Sequence, residues 1–205
     1  METEIEAKFI DIDPKKIRKK LKEIKAKKVY SEVLTRRKVF DYSDDRLDKI
    51  GGWIRVRDEG DKITLSYKQV NDRTLQGTKE ITVEVKEFEK TCQFLLSIGL
   101  KQKSYQETKR EKWILNDCEI TIDTWPWIPP FVEIEGPQEK LVKTTAEELG
   151  FKWSMAIHGG VETVYQKHYK VTEKEINNWE QITFIPTPQW LENKRKNSQV
   201  DVHKK

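Results

Sequence analysis

Apolar and polar residues alternate over several segments of the chain, and this two-residue period predicts β-strands with one apolar and one polar face. In the first segment, residues 3–10, Glu4, Glu6 and Lys8 would share one face and apolar side chains the other. A strand with three charges on one face needs a very polar environment on that side. The same alternation predicts further strands over residues 28–42, 53–57, 63–70, 79–85, 103–115, 118–124 and 131–135.

Other segments carry apolar residues at the spacing of amphipathic helices, with charged residues on the remaining face. A short helix is predicted from Thr172, whose side chain can form a capping box with Glu175. The pattern over residues 151–169 does not decide between helix and strand. Three longer helices are predicted over residues 14–25, 88–98 and 138–149.

About eight strands and three long helices predict an α+β fold. In a closed, eight-stranded antiparallel barrel, the polar faces of the strands would line the interior, and their apolar faces would lie beneath helices packed outside. We therefore expect a tunnel with a charged lumen. Residues 1–170 would form this domain, residues 171–185 a helical extension and residues 186–205 a flexible basic tail.

Composition narrows the class of protein. The 205 residues are 36% charged, and 39 basic and 35 acidic residues give a net charge of +4 spread along the chain. This mild excess gives no strong nucleic-acid signal, which would require a concentrated basic face. The two cysteines, Cys92 and Cys118, lack the spacing of a zinc site or disulfide framework. No long apolar run or signal-peptide pattern is evident, so we expect a cytoplasmic protein without a membrane partner. Whether it is a monomer or a homodimer stays open.

If the polar strand faces converge, they bring many carboxylates into one small volume. Residues two apart on a strand lie about 6.6–7 Å apart, so two neighbouring Glu-x-Glu strands can surround a single site. Crowded carboxylates repel one another, and divalent cations with oxygen ligands, Mg²⁺ or Mn²⁺, relieve that repulsion. The acidic residues on these faces are Glu4, Glu6, Glu80, Glu84, Asp123, Glu133 and Glu135.

Basic residues on the same faces indicate a phosphate ligand, because arginine forks and lysine charges bind phosphate oxygens. Five bases against seven acids leave a charge of −2, and two divalent ions would change this to +2, which attracts a polyanion such as a triphosphate. Each motif taken alone is typical of a solvated strand face, so only their occurrence together carries this hypothesis. The bases are Lys8, Arg55, Arg57, Lys68 and Arg110, with Lys112 as a further candidate.

The order of these motifs resembles the CYTH superfamily, also called triphosphate tunnel metalloenzymes. The resemblance covers about residues 1–170, from the opening Glu-x-Glu-x-Lys motif to the closing segment 125–136. Two features depart from it. Some members pair the signature lysine with a tyrosine from the second strand, and here that region reads Val39-Phe40-Asp41. In addition, no His-Phe pair precedes the signature as it does in some cyclases. The residues that carry the resemblance are Glu4, Glu6, Lys8, Arg55, Arg57, Lys68, Arg110, Asp123, Glu133 and Glu135.

The resemblance implies an eight-stranded tunnel that binds a triphosphate-containing small molecule or polyphosphate with one or two Mg²⁺ or Mn²⁺ ions. It assigns metal binding to Glu4, Glu6, Asp123, Glu133 and Glu135. It assigns phosphate binding to Lys8, Arg55, Arg57, Lys68 and Arg110. The residues expected to be catalytic are Glu4, Glu6, Lys8, Glu133 and Glu135, with Glu80, Glu84 and Lys112 as secondary tunnel candidates.

Three functions are compatible with these motifs. The first is a metal-dependent triphosphatase in which an activated water attacks a phosphorus atom. The second is a class IV adenylyl cyclase, which would convert ATP to cyclic AMP and pyrophosphate. The third is a non-catalytic protein that binds triphosphates or polyphosphate. The motifs do not determine which phosphorus atom faces the nucleophile, so the substrate and the reaction stay open.

Overall fold

A computed structural model of the chain describes residues 1–71 and 77–196, except for the side chains of Glu2 and Glu4. Ten strands are present in these ranges: β1 (Glu2–Glu4), β2 (Glu6–Phe9), β3 (Lys27–Tyr42), β4 (Gly52–Asp58), β5 (Ile63–Val70), β6 (Thr78–Val85), β7 (Leu100–Leu115), β8 (Cys118–Thr124), β9 (Phe131–Glu135) and β10 (Gln181–Ile182). The helices there are α1 (Pro14–Glu23), α2 (Phe88–Ser97), α3 (Glu139–Glu148), α4 (Val161–His168), α5 (Glu173–Asn177) and α6 (Gln189–Glu192).

Local sequence explains where several elements begin and end. The Asp13 carboxylate caps α1 by accepting from the backbone N–H of Lys15 at 2.8 Å, and Pro14 fills the first helical position. Between β7 and β8, Asn116 and Asp117 both have positive φ, as expected for a two-residue hairpin turn. The capping box predicted for α5 is also formed.

The strands form one mainly antiparallel sheet in the order β1-β6-β5-β4-β3-β7-β8-β9-β2, and β10 adds to β7 in parallel. The fold is α+β, as predicted, but the sheet is an open, curled half-barrel and the prediction of a closed barrel is wrong. Closure would require one edge strand to pair on both sides. Instead the first strand divides at Ile5: within the described residues β1 pairs in register with β6 and β2 with β9, and Lys8 of β2 forms one further isolated bridge, to Ile157.

Most of the convex face of this sheet is apolar and lies beneath the three long helices, as predicted, but Ile81 and Val83 of β6 are 51% and 50% exposed. Ile17 and Leu21 of α1 and Val142 of α3 pack in one core with Ile120 of β8 and Ile134 of β9. A second core lies beneath α2, where Phe88, Cys92 and Leu95 contact Phe40 and Val56. The sheet therefore buries its apolar side chains outward and leaves its charged side chains facing inward.

The C-terminal segment, residues 161–196, builds a third apolar core. Tyr165 of α4, Tyr169 just after this helix and Leu191 of α6 are fully buried in it, and Trp125 and Phe131 from the end of the sheet are buried beside them. We expected a flexible tail from residue 186, but residues 186–196 contain the short helix α6. Because α6 buries a leucine, this part of the segment packs against the fold, whereas residues 197–205 lie outside the described residues.

Within the described ranges, no helix is both long and apolar enough to cross a membrane.

We predict that Leu191→Ala lowers the free energy of unfolding by about 2–5 kcal/mol, because it leaves a cavity in the third core. Gln189→Ala, an exposed position on the same helix, is the matched control and should change it by less than about 0.5 kcal/mol. Urea unfolding of the two variants measures both values. Equal stability of the two variants would show that α6 does not pack as described.

Candidate functional site

The concave face of the sheet surrounds a cavity of about 420 Å³, and charged side chains from every strand from β2 to β9 line it. Alternation explains this lining, because each strand that directs apolar residues to the helices directs its intervening residues inward. The C-terminal segment completes one wall of the cavity with Glu162, Glu173, Asn177 and Asn178.

Lys8 lies at the centre of the acidic part of the cavity. Strand pairing sets it opposite Glu133, and its ammonium group lies 3.1 Å from Glu133 and 2.5 Å from Glu6. It also donates to the carbonyl oxygen of Gly159 at 2.7 Å. Burial lowers the pKa of Lys8, but Glu133 and Glu6 outweigh that effect and raise the pKa above its ordinary value. Lys8 therefore stays charged inside the protein.

Glu135 is the carboxyl group with the least electrostatic compensation in this cluster. It pairs in register with Glu6 on β2 and with Glu119 on β8. Burial and the neighbouring charges of Glu6 and Glu133 raise the pKa of Glu135 to about 7. The carboxyl groups of Glu6, Glu133 and Glu135 therefore lie close enough to repel one another, and the single charge of Lys8 compensates only part of their negative charge.

Arg110 connects the acidic cluster to the middle of the sheet. Its guanidinium group forms a two-point contact with Asp123, in which Nε donates to Oδ1 at 2.7 Å and Nη2 to Oδ2 at 2.5 Å. Nη2 also lies 3.3 Å from Glu133. Burial lowers the pKa of Arg110, but Asp123 and Glu133 raise it well above its ordinary value. This arginine is therefore held in a fixed, charged position.

Strands β4 and β5 form the basic wall of the cavity. Arg55 Nη2 and Lys68 Nζ lie 3.3 and 3.2 Å from the two carboxylate oxygens of Glu80. Arg57 lies 2.7 Å from Glu59, a buried residue at the end of the same inward row. Each of the three bases is paired with a carboxylate and lines the cavity.

The structure brings most of the predicted site residues together. Glu84 is not among them, because it is exposed near the end of β6 and does not line the cavity. Lys112 lines the cavity and is paired with Glu119. The backbone of Glu4 pairs with Thr78, and its side chain lies outside the described residues. The predicted residues that line the cavity are Glu6, Lys8, Arg55, Arg57, Lys68, Glu80, Arg110, Lys112, Asp123, Glu133 and Glu135.

Sequence reasoning missed several buried or half-buried charged residues that line the cavity, among them Arg37, Asp41, Glu59 and Glu119. The two-residue period of β3 could have revealed Arg37. Phe40 faces outward, beneath α2, so residues 37, 39 and 41 on the alternate positions line the cavity. Glu59 likewise follows Arg57 at the same spacing. By contrast, Glu162 and Glu173 line the cavity because the C-terminal segment packs against the sheet. The alternation of residues along the strands gives no information about that packing.

The donor set suits a hard divalent cation, since buried carboxylate oxygens crowd together and raise the pKa of Glu135. Among the side chains that the structure describes, however, no group of three acidic, histidine or cysteine residues is already arranged to hold a metal ion. Glu6 and Glu133 are paired with Lys8, and Asp123 with Arg110. The chemistry of the residues therefore fits a metal ion, and binding one would require these carboxylates to exchange partners.

Comparison with known proteins agrees with this geometry. The CYTH domain model matches residues 2–160, which is more than half of the chain. The chain belongs to the CYTH domain family. This family binds triphosphate substrates and is generally dependent on divalent metal ions. No curated protein matches the chain.

Solved structures share the fold at low sequence identity. A putative adenylate cyclase from Vibrio parahaemolyticus has a TM-score of 0.70 at 11% identity, over 80% of this chain and 98% of that chain. The PH1012 protein from Pyrococcus horikoshii OT3 has a TM-score of 0.62 at 21% identity, over 75% and 93%. A putative adenylyl cyclase from Hippeastrum has a TM-score of 0.53 at 13% identity, over 86% and 95%. At these identities the likeness supports the fold alone.

We predict that Glu135 makes the metal-free CYTH protein less stable as the pH rises. Between its ordinary pKa of 4.5 and the raised value of about 7, the carboxyl group is protonated only in the folded state. The folded state then binds more protons, so the free energy of unfolding falls through this window, by at most about 3 kcal/mol. Unfolding of wild type and Glu135→Gln in chelator at pH 5 and pH 8 measures this change.

In this experiment the free energy of unfolding of Glu135→Gln should not fall between pH 5 and pH 8. At pH 8 it should be higher than that of wild type. A loss of the same size in both proteins would assign the pH dependence to other groups.

Proposed function

We propose that this CYTH protein is a divalent-metal-dependent hydrolase of triphosphate-containing substrates, such as inorganic tripolyphosphate or a nucleoside or thiamine triphosphate. One observation carries the proposal: a single cavity has a buried carboxylate cluster at β2 and β9 and a wall of arginine and lysine at β4 and β5. The carboxylates suit Mg²⁺ or Mn²⁺, and the arginine forks suit phosphate oxygens.

The charge of the cavity supports the need for cations. Among the described residues, nine basic and eleven acidic side chains line it, which leaves a small negative excess. A triphosphate would be repelled by that excess unless divalent ions accompany it. Glu6, Glu133 and Glu135, with Glu4 and Asp123 as further candidates, would hold one or two such ions. When bound, the metal would supply an activated water and neutralise charge on the transferred phosphoryl group.

The residues of the chain itself would bind and orient the substrate. Arg55, Lys68 and Arg57 are held by carboxylates and can place phosphate oxygens without a large rearrangement. Lys8 stays charged next to Glu133 and would stabilise negative charge on the phosphoryl oxygens beside the acidic cluster. No side-chain nucleophile is needed, because water is the attacking group.

A cyclase is the second candidate, because the fold relatives from Vibrio and Hippeastrum are putative adenylyl cyclases. The Hippeastrum protein is also described as having a dominant triphosphatase activity, which favours hydrolysis as the first candidate. In a cyclase, the ribose 3′-hydroxyl attacks the α-phosphorus and pyrophosphate leaves. A third candidate, a non-catalytic polyphosphate-binding protein, would bind the same ligands without turnover.

We predict that tripolyphosphate yields orthophosphate and that ATP yields orthophosphate without cyclic AMP. The panel comprises tripolyphosphate, ATP and thiamine triphosphate, each with Mg²⁺, with Mn²⁺ and with a chelator, and it is scored for orthophosphate, pyrophosphate and cyclic AMP. Activity should disappear in the chelator. Cyclic AMP with pyrophosphate would establish the cyclase instead, and tight binding without any product would establish the non-catalytic protein.

We predict that Glu135→Gln lowers kcat by at least about a hundred-fold, because it removes a carboxylate from the acidic cluster. Glu84→Gln makes the same chemical change at an exposed position outside the cavity and should leave the kinetics unchanged. Arg57→Lys keeps the charge but loses the planar fork, so it should mainly raise KM. Steady-state kinetics on the best substrate of the panel test all three, and wild-type kinetics for Glu135→Gln would refute the assignment of the cluster.

A further inference from the structure

Arg37 is a buried guanidinium group for which the motifs of the sequence provide no role. It lines the cavity from the middle of β3 and is 6% exposed. Nη2 donates to the hydroxyl of Thr108 at 2.9 Å, and Nε has no hydrogen-bond partner within the described residues. No carboxylate there lies within salt-bridge distance of Arg37, in contrast to Arg57, which is paired with Glu59.

The surroundings of Arg37 are positively charged. Strand pairing sets it directly opposite Arg57 on β4, and both side chains line the cavity. Like charges that face each other across two strands are destabilising. Burial lowers the pKa of Arg37 well below its ordinary value, and Arg55, Arg57 and Arg110 lower it further, whereas Asp123 opposes this shift without cancelling it. In the unliganded protein, therefore, the positive charge of Arg37 is buried in unfavourable electrostatic surroundings.

Packing keeps the guanidinium group in this position. Its central carbon lies 4.5 Å from the ring centroid of Trp125, which supports it from one side. Trp125 is itself held by Tyr165 of α4, an edge contact with centroids 6.5 Å apart, and Tyr165 donates to the carbonyl oxygen of Pro126 at 2.8 Å. The side chain is thus oriented in advance, with donors left for a ligand in the cavity.

We propose that Arg37 is a further oxyanion-binding residue of this cavity and that Trp125 is its positioning residue. The proposal rests on the proposed function only in that the ligand is a phosphate chain, and it does not depend on which reaction follows. A phosphate oxygen would supply the negative charge that Arg37 lacks beside it and would accept a hydrogen bond from the guanidinium group. Strand β3 lies mid-sheet and β2 at its end, so the ligand would extend from the acidic cluster towards the opposite wall.

The test is equilibrium binding of inorganic imidotriphosphate, in which NH groups replace the bridging oxygens so that the chain resists hydrolysis. It contains no ribose, so a cyclase cannot react with it either. Calorimetry with Mg²⁺ should show that Arg37→Gln raises the dissociation constant about ten- to a hundred-fold. Arg36→Gln removes the neighbouring arginine, which lies outside the cavity beside Asp58 and Glu89, and should leave the dissociation constant unchanged.

A purely structural role for Arg37 makes the opposite prediction. If the side chain only supports Trp125, Arg37→Gln should lower the melting temperature of the unliganded protein and leave binding within about two-fold of wild type, which would overturn the proposal. We expect an unliganded melting temperature that does not fall, because repulsion is removed, and a smaller rise in melting temperature on adding imidotriphosphate.

Trp125 provides an independent check of positioning. Trp125→Leu removes the aromatic face, so it should weaken binding, whereas Trp125→Phe retains a ring and should restore most of the affinity. Equal binding by the Leu and Phe variants would contradict the positioning role. Absence of imidotriphosphate binding by wild type would overturn both this proposal and the proposed function, whereas binding by wild type with no loss in Arg37→Gln would overturn this proposal alone.

Discussion

Electrostatic repulsion among buried like charges is the constraint on which this structure depends. The concave face of the sheet collects carboxylates at β2 and β9 and guanidinium groups at β3 and β4, and each group loses hydration as the sheet curls. Buried charges are tolerated when they are paired and hydrogen-bonded. Lys8 between Glu6 and Glu133, and Arg110 on Asp123, supply such pairs. In the part of the chain that the structure describes, Glu135 and Arg37 form no salt bridge, and both line the cavity in which a ligand would lie.

The apolar half of the protein makes this arrangement possible. Strands β2 to β5 and β7 to β9 give their outward apolar side chains to a core beneath α1 and α3 or beneath α2, so hydrocarbon burial takes place outside the sheet. A small barrel usually fills its interior with side chains and gains stability there. Here the stabilising contacts lie on the opposite face, which leaves the interior available for charge.

Much of the fold and part of the site could be predicted from periodicity alone. The alternation of Glu6 and Lys8 with Ala7 and Phe9 correctly assigned faces, because a two-residue period is a direct consequence of strand geometry. It could not show that the first strand divides at Ile5, because the division depends on the pairing of β1 with β6 and of β2 with β9. Nor could it reveal the pairing of Arg57 with Glu59 or the support of Arg37 by Trp125, which depend on contacts between side chains.

The C-terminal segment has a consequence for how specificity can vary. The family match ends at residue 160, yet residues after that point hold Trp125 and contribute Glu162 and Asn177 to the cavity. The strands, which lie within the family match, therefore form most of the cavity lining. The C-terminal segment, which lies after that match, forms one wall. Substitutions in that segment can reshape the cavity without altering the register of any strand in the sheet. The fold thus separates the strands that carry most of the charge from a wall whose side chains can be changed without disturbing the sheet.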